Sequence, residues 1–120
     1  MRTVHFLSAV SLLMLLAYNT RVMGQEKPAS TETVKIKTSA ICEQCKERLE
    51  HNMAFEKGVK AVNLDIETKV LTIEFKAGKN SKEKLKKAVT KIGYDADELE
   101  ADPKAYAKLP TCCKKDAAPH

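Results

Sequence analysis

The chain has 120 residues, 43% hydrophobic and 31% charged, the balance of one small globular domain, which excludes a multidomain enzyme. With no Trp, three Tyr and three Phe, its core has to be mainly aliphatic. The formal charge of +5 comes from 21 basic and 16 acidic residues mixed along the chain, which argues against a dedicated nucleic-acid arm.

Residues 1–24 read as a secretory signal. They contain no acidic residue, place Arg2 first, and then run uncharged from Phe6 to Tyr18 before Asn19 and Arg21. That stretch is shorter than the ~18–20 apolar residues needed to span a bilayer, so cleavage before Gln25 is expected and stable membrane insertion afterwards is not. Cleavage would remove Arg2 and Arg21 and leave 19 basic against 16 acidic residues, a charge of +3. All four cysteines, at 42, 45, 112 and 113, remain in the exported chain and meet a periplasmic or extracellular oxidising compartment.

Residues 25–32, polar and containing Pro28, read as a linker, and a domain is expected over 33–100. Val34 and Ile36 alternate with lysines as in a half-buried strand. Cys45, Leu49 and Met53 recur every fourth residue and predict an amphipathic helix over 43–56, stopped by Gly58. Val62, Leu64 and Ile66, then Leu71, Ile73 and Phe75, predict a hairpin turning at Glu67-Thr68-Lys69. Asn80 with Glu83 reads as the start of a second helix, whose core positions are Leu85, Ala88, Val89 and Ile92 and whose stop is Gly93. The lysines of this helix fall on its solvated face. Tyr94 to Leu99 is expected to be a final edge strand. The order βαββαβ, with both helices on one face, predicts an α+β ferredoxin-like sandwich. Residues 101–120 form a tail in which Asp102-Pro103 can start a short helix.

Cys42-Glu43-Gln44-Cys45 carries the chemistry. Two thiols three residues apart, at a loop entering a helix, can converge on one ion, and the helix N-terminus favours their thiolate form. Thiolates select soft ions, so Cu(I) is favoured, Hg(II), Zn(II) or Cd(II) are alternatives, and Mg(II) and Ca(II) are excluded. The same pair could instead form a disulfide after export. His51 lies a turn and a half beyond Cys45 and is expected to face solvent, while His5 leaves with the signal and His120 ends the tail.

In these residues the chain resembles the heavy-metal-associated domain family, which includes copper chaperones, the N-termini of metal-transporting P-type ATPases and periplasmic mercury-binding proteins. The resemblance spans Thr33 to Leu99. It rests on the Cys-x-x-Cys after the first strand, on Leu49 and Met53, on Gly58-Val59, and on Lys91-Ile92-Gly93-Tyr94-Asp95-Ala96. It implies that Cys42 and Cys45 bind the metal, that Tyr94 packs beside the binding loop, and that the partner is a metal transporter or another metal-binding protein. The family writes Gly-Met-Thr-Cys where this chain has Ser39-Ala40-Ile41-Cys42, so the Met that anchors the loop is replaced.

The expected function is therefore an exported soft-metal carrier that exchanges its ion between thiolates, with no catalytic residue. The alternative is a thiol–disulfide oxidoreductase using the same Cys-x-x-Cys, although no Pro lies between Pro28 and Pro103 to face the motif. An RNA-binding module shares the element order but needs a set of aromatic residues on its central strands, which Val34-Lys-Ile-Lys37 and Leu71-Thr-Ile-Glu-Phe75 do not supply. Cys112 and Cys113 lie outside the family pattern. The 13 residues from Leu99 to Cys112 can reach back to the loop, so the pair could add thiolates to the ion, form a disulfide, or act as a separate metal trap.

Overall fold

The computed structural model describes residues 30–115. The sequence-predicted signal, most of the linker, His5 and His120 lie outside the described residues. Three strands, β1 (Thr31–Lys37), β2 (Val59–Asp65) and β3 (Val70–Lys76), form an antiparallel sheet in the order β1-β3-β2. Helices α1 (Glu43–Met53) and α2 (Lys82–Ile92) are followed by a short α3 (Pro103–Lys108) and a single 3-10 turn at Thr111–Cys113.

The alternation read from the sequence sets the register. Ile36 stands opposite Leu71 and Val34 opposite Ile73 across β1 and β3, while Leu64 pairs with Leu71 and Val62 with Ile73 across β2 and β3. Ile36, Leu64, Leu71, Ile73 and Phe75 are buried against Leu49 and Met53 of α1 and Leu85 and Val89 of α2. Each such aliphatic side chain contributes about 1.5–3 kcal/mol by leaving water. Lys46 and Glu50, one turn apart on α1, hold that helix to β2: Lys46 Nζ donates to the Leu64 carbonyl at 2.8 Å, and Glu50 Oε1 accepts from the Leu64 amide at 3.2 Å.

Three boundaries differ from expectation. Thr31 and Glu32, read as linker, extend β1 because the Ala77 amide donates to the Ser30 carbonyl and carries the β1–β3 ladder outward. Helix α1 stops at Met53, and Phe55 lies beyond it, 78% exposed and edge-on to His51 at 5.3 Å. The cap of α2 is Ser81, whose hydroxyl accepts from the Lys84 amide, while Asn80 spends its side chain on the Ser81 amide and the Lys57 carbonyl.

The expected edge strand over 94–99 does not form, leaving a three-stranded sheet and only two isolated bridges, Thr38 to Ala96 and Ala96 to Leu99. Asp97 takes a left-handed backbone, φ 50°, and its carboxylate accepts from the Lys37 amide, the bond that a continuing strand would have used. Among the described residues no helix is long and apolar enough to cross a membrane.

Candidate metal centre

The thiol loop is held from below and from the side. Thr38 donates through both its amide and its hydroxyl to the Lys69 carbonyl, and the same hydroxyl accepts from the Ala40 amide. Ala40, at the position of the family's Met, is buried. Ser39 Oγ accepts from the Asp95 amide at 2.9 Å, tying the segment after α2 to the loop. Cys42 then stands at the N-cap of α1 in an extended conformation, and Cys45 lies one turn inside the helix, 0% exposed.

All four cysteines of the sequence meet here. Cys42 Sγ lies 3.4 Å from Cys45 Sγ and 3.8 Å from Cys113 Sγ, and Cys112 Sγ lies 3.9 Å from Cys113 Sγ. The sulfurs of Cys42, Cys112 and Cys113 fall within 4.8 Å of one another. Cys113 is 1% exposed, whereas Cys42 and Cys112 are half-buried. All four are free thiols. A shallow groove lined by Ile41, Cys42, Gln44, Ile66 and Cys112 opens the cluster to solvent.

Two groups flank the sulfurs. The Arg48 guanidinium donates from Nη1 to Cys113 Sγ at 3.2 Å and to the Tyr94 hydroxyl at 3.0 Å. The fully buried Tyr94 phenol also acts on Cys45. These contacts divide the thiols. Burial pushes Cys45 up, but the hydrogen bonds from Tyr94, the Ile41 backbone and the neighbouring thiols outweigh it and hold Cys45 below the ordinary thiol range. Burial pushes Cys42 up, and only the Cys45 backbone amide opposes it among the main influences. Cys113 is also raised by burial, against the pull of Arg48. Tyr94 itself is driven upward by burial, and Arg48 is held protonated by its bond to Tyr94. Of these three thiols, Cys45 is thus the one that most readily becomes a thiolate.

His51, as expected, is exposed and apart from the thiols. Sequence reasoning missed Arg48 and Gln44. Arg48 is three residues after Cys45, a spacing that places both on one helix face. Gln44 Oε1 accepts from Cys112 Sγ at 3.1 Å, a contact that no local pattern announces.

A profile of the heavy-metal-associated domain matches residues 31–95, more than half the chain, and the chain belongs to that family. Among solved structures it is similar to oxidised MerP from Ralstonia metallidurans CH34, at 28% identity over 57% of this chain and 96% of that one, with a TM-score of 0.54. The N-terminal domain of a potential copper-translocating P-type ATPase from Bacillus subtilis, in its Cu(I)-loaded state, matches at 26% identity, covering 57% and 86% of the two chains, with a TM-score of 0.53. Mercury-bound MerP, the periplasmic protein of the bacterial mercury detoxification system, matches at 26% identity over 57% and 96%, with a TM-score of 0.50. No curated protein matches the sequence. Helix α3 and both Cys112 and Cys113 lie beyond the family match.

Proposed function

We propose that this chain is an exported carrier of a soft metal ion, Cu(I) or Hg(II), held as cargo by the thiolates of Cys42 and Cys45 and passed to a metal transporter or another metal-binding protein. The observation that carries this reading is the 3.4 Å approach of Cys42 Sγ to Cys45 Sγ at the start of α1. Soft d10 ions prefer this donor type. A mercury-bound and a Cu(I)-loaded protein among its structural relatives support the same ion class. The signal-like residues 1–24 support export.

Transfer proceeds by exchange of bonds. A partner thiolate forms a metal–sulfur bond as the bond to Cys42 breaks, and the bond to Cys45 then breaks in the same way, so no free ion and no electrons are released. The order follows from burial: Cys42 is half-buried beside the groove, and Cys45 is enclosed. No acid, base or nucleophile acting on an organic substrate is required, so the protein is read as a binder and not as an enzyme.

Anaerobic titration of the reduced protein with Cu(I) or Hg(II) tests the reading. One ion per chain is expected, with severe loss of affinity in Cys42→Ser and in Cys45→Ser. Tight binding that survives in the double variant overturns it, as does catalytic turnover of a disulfide substrate by a protein that retains no metal.

A further inference from the structure

We propose that the C-terminal tail completes the metal centre, with Cys113 supplying a third thiolate beside Cys42 and Cys45 and Cys112 standing at the rim. The ion then sits in a three-sulfur site that the family's Cys-x-x-Cys alone does not form. This rests on the reading that Cys42 and Cys45 hold the ion.

The spacing of the sulfurs decides between coordination numbers. With metal–sulfur bonds of ~2.3 Å, ligand sulfurs lie about 4.6 Å apart in a linear site, about 4.0 Å apart in a trigonal one and about 3.8 Å apart in a tetrahedral one. Cys42 Sγ is 3.4 Å from Cys45 Sγ and 3.8 Å from Cys113 Sγ. The cluster is already at the spacing of a closed site, and a linear ion between Cys42 and Cys45 would have to drive their sulfurs apart by more than an ångström.

The tail is docked by its own contacts. Leu109 is buried, 7% exposed, against the C-terminal end of α2, and the Asp102 amide donates to the Thr90 carbonyl at 3.0 Å. Lys115 pairs with Asp95 at 2.7 Å, and its amide donates to the Tyr106 hydroxyl at 3.1 Å. Between these anchors the 3-10 turn, closed by the Cys113 amide on the Pro110 carbonyl at 2.8 Å, turns the Cys113 side chain inward. There it meets the Arg48 guanidinium, a cation suited to a bound thiolate. Cys112 stands at the edge of the cluster: it is half-buried, lines the groove, and its sulfur donates to Gln44 Oε1 at 3.1 Å.

X-ray absorption on the reduced full chain loaded with Cu(I), and separately with Hg(II), tests the assignment. Three sulfur neighbours are expected in the wild type and in Cys112→Ser, and two in Cys113→Ser, with shorter metal–sulfur bonds in the latter. Cys113→Ser should also lose the ion to a competing small thiol at least about tenfold more readily. Circular dichroism confirms that each variant is folded. A two-sulfur count in the wild type, or an unchanged count in Cys113→Ser, overturns the proposal while leaving the Cys42–Cys45 carrier reading intact. Failure of the carrier reading itself is recognised separately, by tight binding in Cys42→Ser/Cys45→Ser.

Discussion

Replacing Gly93 with alanine separates the tail from the rest of the fold. Gly93 ends α2 at φ 118°, ψ 15°, a conformation that an L-residue adopts only under strain of about 1–3 kcal/mol. A Cβ there would stand 3.1 Å from the carbonyl carbon and oxygen of Ala105 and 3.1 Å from Leu109 Cγ. Those atoms belong to α3 and its end, so α3 must recede, and Leu109 is the buried apolar anchor that holds this segment down, worth about 1.5–3 kcal/mol. The backbone strain alone should therefore lower Tm by about 4–24 °C, taking about 4–8 °C per kcal/mol for a domain of this size, and loss of the Leu109 seat adds to it. Gly93→Ala should also expose Cys113, so that a chromogenic disulfide reagent labels this thiol much faster than in the wild type.

Gly78→Ala is the control. Gly78 also has positive φ, 80°, but a Cβ there meets nothing within 4 Å. It should lose stability from the backbone alone and leave Cys113 protected. If Gly93→Ala leaves both Tm and Cys113 reactivity at wild-type values, the tail is not seated on Gly93 as described.

Tyr94→Phe removes the hydroxyl that accepts from Arg48, a loss of about 1–3 kcal/mol for a buried bonding group. The pH profile of Cys45 alkylation should move upward, because the phenol is one of the bonds holding this thiol low. Asp95 is pushed up by burial but held below the ordinary carboxylate range overall by Lys115 and the Ala101 amide. A depressed folded value means that its contribution to tail docking is complete above the unfolded carboxylate range and is lost as pH falls through the folded value. Relative to the intrinsic rate, amide exchange at Ala101 and Lys115 should thus accelerate only as pH falls below the ordinary carboxylate range, and Asp95→Asn should remove that dependence. The reduced, metal-free protein should keep its folded circular dichroism spectrum, unlike a structural zinc finger, because the aliphatic core of the sheet and both long helices forms without the ion. A largely unfolded spectrum would contradict this.

The elements that bury a periodic face were legible in the sequence. Ile36, Leu49, Met53, Leu71, Ile73, Leu85 and Val89, read from alternation or from helical spacing, are all core residues. The short helix at Asp102-Pro103 was legible too, since the Asp102 side chain accepts from the Ala105 amide in the way such a start requires. The segment after Gly93 misled because its apolar positions resemble a strand, while its acidic side chains satisfy backbone amides: Asp95 takes that of Ala101 and Asp97 that of Lys37. Local pattern cannot weigh such bonds between distant residues. The same limit hid the seat of the tail. Leu109 finds its place only because Gly93 lacks a side chain, and neither residue carries a periodic signal toward the other.

Arg48 also bears on the valence of the cargo. Its guanidinium is the one cation with a bond to a sulfur among the described residues. Three thiolates around a divalent ion carry one net negative charge, which this guanidinium cancels, whereas the same thiolates around a monovalent ion leave one negative charge uncompensated beside the buried Tyr94. Uncompensated charge in a poorly solvated pocket is unfavourable. If the three-thiolate site forms as proposed, electroneutrality would favour a divalent ion such as Hg(II) over a monovalent one, with the arginine weighing ionic charge where the sulfurs weigh softness.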